Sequence, residues 1–443
     1  MKLFHYLRTP YHIPLLTLAA PMILSNISVP LLGLVDTAVI GHLSHAHYLA
    51  GIALGSGSIA LLFWLASFLR MSTTGEIAQA YGEQNQTRAL QSLFASLMLA
   101  LTFAVTLVAL SPFLLQVIAQ LANPTEQVMT QAHIYFSTRI YSAPAAMMNL
   151  VLLGFMLGLQ YGRGPFYVVL FTNLVNIVLD LVFVIGFEWG VAGAAWASVI
   201  ADYSALILAC VLTAKLLRRK GWQLAILLPS RPQITHLLSL NKDIFIRSLV
   251  LQLCFSFMTF YGARLGENTL AANAVLLNFL MLVSFALDGI AYAAEAKVGQ
   301  AKGEQDVTKL KAWVRVSVFW GGIFALLYCV IFAAFGRLII TSLTSIESVI
   351  ITATHYLPWL VILPIIAMSC FLFDGVFVGL TRAREMRNSM LFSALCGFFL
   401  PFLIMKDLGN HALWLAMTCF MALRGVTLIY RYRKLDAQQA LLK

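Results

Sequence analysis

Twelve long apolar stretches, an internal repeat and a one-sided distribution of basic residues predict an all-α integral membrane protein, with twelve transmembrane helices in two six-helix lobes. The chain is 60% hydrophobic and 11% charged over 443 residues, with a mean hydropathy of +0.86. That composition excludes a water-soluble globular protein. The stretches run 13–40, 48–70, 92–118, 128–159, 165–187, 190–214, 243–263, 269–293, 312–340, 348–380, 388–405 and 411–430. Each is long enough, or nearly so, for the roughly 20 residues that cross a hydrocarbon core. The first exceeds a signal-peptide core, carries Pro21, Pro30 and Asp36, and precedes no small-residue cleavage pattern, so it is expected to remain as the first span.

The net charge of +11 suggests nucleic acid at first sight, but the positive-inside rule explains it better. Even-numbered loops and the tails hold Arg88, Arg163, the segment "KLLRRK" from Lys215 to Lys220, Lys302, Lys309, Arg382, Arg384, Arg387, Arg431 and Arg433. Odd-numbered loops hold Glu126, Glu188, Glu267, Glu347 and Asp407, with few basic residues. Both termini are therefore expected in the cytoplasm, which suits an even number of spans.

The segment "QAYGEQNQTR" from Gln79 recurs as "QAKGEQDVTK" from Gln300, and "GFMLGLQ" from Gly154 recurs at the same spacing as "GVFVGLT" from Gly375. Two parallel repeats follow: an N-terminal lobe over 1–214, a basic cytoplasmic connector over 215–243, and a C-terminal lobe with a tail over 244–443. Transporters built from such repeats bind substrate between or within the halves.

Asn173, Asn176 and Asp180 lie three and four residues apart in the fifth span, so they share one helical face. Interhelical hydrogen bonding is one reading of such a face. A functional chamber is the other. At 1.5 Å rise per residue, Asp36 lies roughly 6 to 8 Å, Asp180 roughly 10 Å and Ser198 roughly 12 Å from the outer ends of their spans. Two carboxylates in one low-dielectric chamber are costly to ionise together, so at least one is expected to exchange protons. At the repeat spacing Asp36 and Asp180 fall opposite Met258 and Pro401, so the carboxylates are private to the first lobe.

The second lobe has candidate buried charges at Arg247, Asp288, Glu295 and Asp374, read as a salt-bridge network with a second ion site as the alternative. Arg139 and Asp202 are expected to pair in the first lobe. Pro21 removes a backbone hydrogen bond from the first span and is either a static kink or a hinge. The six cysteines fall in apolar runs at no metal-ligand spacing, and His42, His45 and His47 read as solvated loop residues, so no metal site is expected.

Taken together, "LVDTAVIGHL" in the first span, "GxxxGLQ" ending the fourth, "NxxNxxxD" in the fifth and the "QAYGE" loop resemble the multidrug and toxic compound extrusion family. "ALDGIAYAAEAKVGQAKGEQD" and "FDGVFVGLTRAREMRNSM" resemble its DinF-like bacterial branch. The resemblance implies a secondary exporter in a bacterial inner membrane, with Asp36 and Asp180 as coupling residues and Asn176 as a neighbour, while helical face and depth add Asn173 and Ser198 as further candidate neighbours. The implied partners are small organic substrates, protons and the lipid bilayer, for a monomer with no nucleic acid and no cofactor. Sodium is the alternative coupling ion. A flippase for lipid-linked precursors is the alternative function, disfavoured because only Arg139 and Arg247 are expected well inside spans. Some sodium-coupled relatives use a span-seven glutamate, absent here. No P-loop or HExxH is present, and neither aspartate is followed by glycine, so an enzyme is not expected.

This topology predicts that, in a cysteine-free background, an impermeant thiol reagent added outside labels a cysteine at Ala46 but not one at Gln223. The reverse labelling pattern inverts the orientation.

Overall fold

The computed structural model describes residues 10–40, 46–122, 124–223 and 227–442, and the side chains at 29–40, 46, 47, 49, 121 and 122 fall outside that description. Asp36 and the three loop histidines are among the side chains so excluded. Among the described residues there is no strand, and eleven helices are long and apolar enough to cross a membrane. The helix His12–Ile40 precedes them. Each of the twelve apolar stretches thus coincides with a helix, and these are numbered below as spans one to twelve.

The helices overrun the apolar runs. The eighth span, Glu267–Gly303, has 37 residues, roughly 55 Å at 1.5 Å per residue, against about 30 Å of hydrocarbon. Its polar end therefore projects beyond the membrane. The same holds at the connector, where the sixth span continues as helix to Arg219 and the seventh begins at Arg231. Much of the 215–243 segment is therefore helical. The first span remains helical through Pro21, and the fifth and eleventh each contain a π-helical turn, Leu181–Gly186 and Ala394–Phe399.

By internal contacts the chain forms two compact units, Leu24–Leu238 and Met1–Ile23 with Ser239–Lys443. The boundary within the first span falls just after Pro21. Inside Leu24–Leu238, the fourth span packs against the second, third and sixth, and the fifth against the sixth. Inside the other unit, the tenth packs against the eighth, ninth and twelfth, and the eleventh against the twelfth. The two packing schemes match.

The repeat also extends to backbone detail. Gln84 and Gln305 adopt φ of 55° and 58°, and Gln160 and Thr381 adopt 66° and 53°. These left-handed residues end helices, and the following amides close onto a carbonyl five residues back, Asn85 to Ala80 at 2.9 Å and Asp306 to Ala301 at 3.1 Å.

The repeated GxxxG pairs show why glycine is required. A Cβ at Gly154 would stand 2.6 Å from the Arg70 carbonyl oxygen, and one at Gly375 would stand 2.5 Å from that of Ala291. Gly158 meets Ile77 and Thr74, while Gly379 meets Val298 and Glu295, the same positions one repeat later. Small residues let membrane helices approach closely, where packing rather than hydrophobic expulsion drives association.

Since the obstacle is backbone, a helix must move to admit a methyl group. Gly154→Ala and Gly375→Ala are each expected to cost about 1 to 3 kcal/mol and to lower the unfolding midpoint in detergent. Gly57→Ala, where a Cβ meets nothing within 4 Å, is expected to change it little. Equal midpoints for all three variants would remove close approach as the reason for the repeated glycines.

Candidate functional site

The fifth span is turned inside out relative to a helix in water. Between Phe171 and Asp180 the buried residues are Asn173, Asn176 and Asp180, whereas Phe171, Leu174 and Val178 are exposed. Hydrocarbon accepts the apolar side chains and offers the polar ones no hydrogen bond, so the polar face points into the unit. Asp180 is 3% exposed and immediately precedes the π-helical turn. Single π turns inside helices are frequent at functional sites.

Neighbouring spans supply partners. The Asn173 amide nitrogen donates to Ser28 Oγ at 3.2 Å and to its carbonyl at 3.3 Å, which ties the fifth span to the first. The Asn176 amide donates to Ser198 Oγ at 3.1 Å in the sixth span. Asn176 Oδ1 is buried and meets no donor among the described residues. The structure thus joins Asn176 to Ser198 and adds Ser28, one short hydroxyl in an apolar run that composition does not distinguish. The Asp36 side chain lies outside the described residues, and Pro21 is half-buried.

Arg139 and Asp202 pair as expected, with Nη1 to Oδ2 at 2.6 Å. The Arg139 guanidinium also stands 5.3 Å from the Phe63 ring centroid, and the Asn149 amide bonds the Asp202 carbonyl at 3.1 Å. A further buried acid not singled out above is Glu76, held by Arg88 at 3.2 Å and by His236 at 2.9 Å. Its sequence signal was weak because it stands among polar residues near a helix end.

In the second lobe, Arg247 and Asp374 come together through Nη2 and Oδ2. Arg424 Nη2 donates to the same oxygen at 2.6 Å. Arg424 is 2% exposed, which corrects the expectation that only Arg139 and Arg247 lie well inside spans. It sits in the middle of the helix Asn410–Ala437, a few residues before the basic cluster Arg431, Arg433 and Lys434, so in the sequence it resembles part of the basic tail. Glu295 is buried and Asp288 half-buried in the same unit. Elsewhere in the unit Asn273, Asn410 and Trp414 form a buried hydrogen-bonded cluster at 2.7 to 2.9 Å. Its groups satisfy one another, so it reads as a helix clamp.

Twelve membrane helices in two units of matched packing, one with a polar face turned away from lipid, define a polytopic protein with transporter architecture. The MatE family model matches residues 21–182 and 244–403. The chain is 46% identical to DNA damage-inducible protein F of Escherichia coli over 418 residues, 94% of this chain and 91% of that one. It is 27% identical to the multidrug resistance protein NorM of Vibrio cholerae, over 66% of this chain and 65% of that one. It superposes on crystal structures of MATE in the bent and the straight conformations, each with a TM-score of 0.86. Identity there is 19% and 20%, with 99% and 98% of this chain covered and 98% of each structure. The chain belongs to the MatE family of multidrug efflux transporters, whose members are transporters and not enzymes.

Two guanidinium groups on one carboxylate oxygen make the three residues unequal. Asp374→Asn leaves both buried cations facing a neutral amide and is expected to cost about 3 to 5 kcal/mol. Arg247→Gln keeps the Arg424 pair and is expected to cost less. Unfolding midpoints and folded yield of the two variants check the order, and a normally stable Asp374→Asn variant removes the structural role.

Proposed function

We propose that the chain is a secondary active exporter of amphipathic, often cationic, organic compounds, exchanged for protons that move inward by way of Asp36 and Asp180. The observation that carries this reading is the buried carboxylate of Asp180, on a helix whose apolar residues face outward. A carboxylate is costly at membrane depth, so its retention favours a functional role. Asn176 Oδ1 beside it offers an acceptor to a proton donor or a cation.

Ionised, the two carboxylates favour a hydrated chamber that attracts a cationic compound. Protonated, they release it and tolerate a drier chamber. Pro21 is the proposed hinge, consistent with the unit boundary just after it in the first span. The proposed setting is the inner membrane, with both termini cytoplasmic.

Coupling by protons is preferred to sodium at Asp374, because Arg247 and Arg424 already occupy the position a mobile cation would take. The name of the NorM relative, a multidrug resistance protein, supports the substrate class.

The test is uptake of a fluorescent organic cation into proteoliposomes, with the proton and sodium gradients dissipated separately. Collapse of the proton gradient alone is expected to stop accumulation. Asp36→Asn and Asp180→Asn are each expected to fold and to lose uphill transport, since Asn copies the neutral shape but cannot titrate, and Asp36→Glu is expected to retain part of it. Uphill transport by Asp36→Asn with an unchanged pH dependence assigns coupling elsewhere.

A further inference from the structure

The exposed side of the sixth span, Gly190–Arg219, is one continuous stripe. Trp196, Ile200, Tyr203, Ile207 and Val211 are exposed at steps of three and four residues, the period of one helical face. Ile207 is 68% exposed. These apolar side chains suit acyl chains. The stripe then runs without a break into Lys215, Arg218 and Arg219, which are exposed, while Leu216 and Leu217 on the other side are buried.

The three cations have no internal compensation. Between Asp202 and Asp243 the chain contains no acidic residue. Among the described residues, Lys215, Arg218 and Arg219 make no ion pair and no side-chain hydrogen bond. The comparable end of the twelfth span differs. There Arg431 pairs with Glu385 at 3.5 Å, and Asp436 pairs with Lys311 at 2.6 Å. Arg433 and Lys434 at that end are exposed and make no ion pair among the described residues, so the contrast is one of partial against absent compensation. Complementing the helix dipole accounts for basic residues in a last turn, but it does not account for Lys215, a turn earlier on the exposed stripe.

The end of the helix is also held in place. Lys220 Nζ donates to the Tyr81 hydroxyl at 2.9 Å and stands 4.1 Å from that ring's centroid. Trp222 packs 6.3 Å from the same ring. Tyrosine and tryptophan favour headgroup depth. From Lys215 to Arg219 the helix rises roughly 6 Å, about the thickness of one headgroup layer.

We infer that Lys215, Arg218 and Arg219 form a seat for the phosphate of an anionic phospholipid, whose acyl chains lie along Ile207 and Val211. The juxtaposition of an acyl-compatible stripe with uncompensated cations selects a lipid over soluble polyanions. Each cation near a membrane surface favours anionic lipid by a factor of about five, so three give a preference of roughly a hundredfold.

The test places the full chain in nanodiscs of phosphatidylcholine mixed with phosphatidylglycerol and counts retained phosphatidylglycerol by native mass spectrometry. The wild type is expected to retain it, and the triple variant Lys215→Gln, Arg218→Gln, Arg219→Gln to lose most of that retention while unfolding at the same midpoint in phosphatidylcholine alone. The charge-preserving triple variant Lys215→Arg, Arg218→Lys, Arg219→Lys should retain the lipid. It also supplies the comparison if the glutamine variant folds poorly, since loss of lipid from a folded charge-preserving variant overturns the seat. Equal retention by the glutamine variant overturns it too, as does displacement of the lipid by soluble inorganic phosphate.

Discussion

Hydrocarbon cannot hydrogen-bond, and the arrangement of this protein follows from where that leaves its polar groups. Every backbone amide in a span must find its partner within the helix, so helices dominate the described residues. Polar side chains must find partners in neighbouring helices. Asn173 finds Ser28, Asn176 finds Ser198, and Arg139 finds Asp202. The fifth span shows the constraint most directly, because the same ten residues present apolar groups outward and two amides and a carboxylate inward.

Close helix approach is the second requirement, and the repeated glycines meet it. Gly154 and Gly158 bring the fourth span onto the second, and Gly375 and Gly379 bring the tenth onto the eighth. The fourth and tenth spans each touch four other spans of their unit. A duplicated scaffold therefore keeps its backbone, down to the left-handed residues that end its helices.

Chemistry is where the two units part. One carries the buried carboxylate of Asp180 on the helical face that also bears Asn173 and Asn176. The other surrounds its carboxylate Asp374 with two guanidinium groups. Both guanidinium groups reach the same Oδ2 atom. The same packing thus supports a face of amides and a carboxylate in one unit and a carboxylate held by two arginines in the other.

Length and hydropathy alone determined the helices, because a bilayer demands about 20 apolar residues per span whatever their neighbours. Spacing determined the inward face of the fifth span, since a period of three and four residues places Asn173, Asn176 and Asp180 on one side of any helix. Self-similarity exposed the repeat and its glycines. Only the tertiary structure decided which charges meet. Arg247 goes to Asp374 and shares it with Arg424, and Ser28 joins Asn173. Those pairings join residues 50 to 145 positions apart in the chain. They depend on helix rotation and approach, which hydropathy and local spacing do not encode.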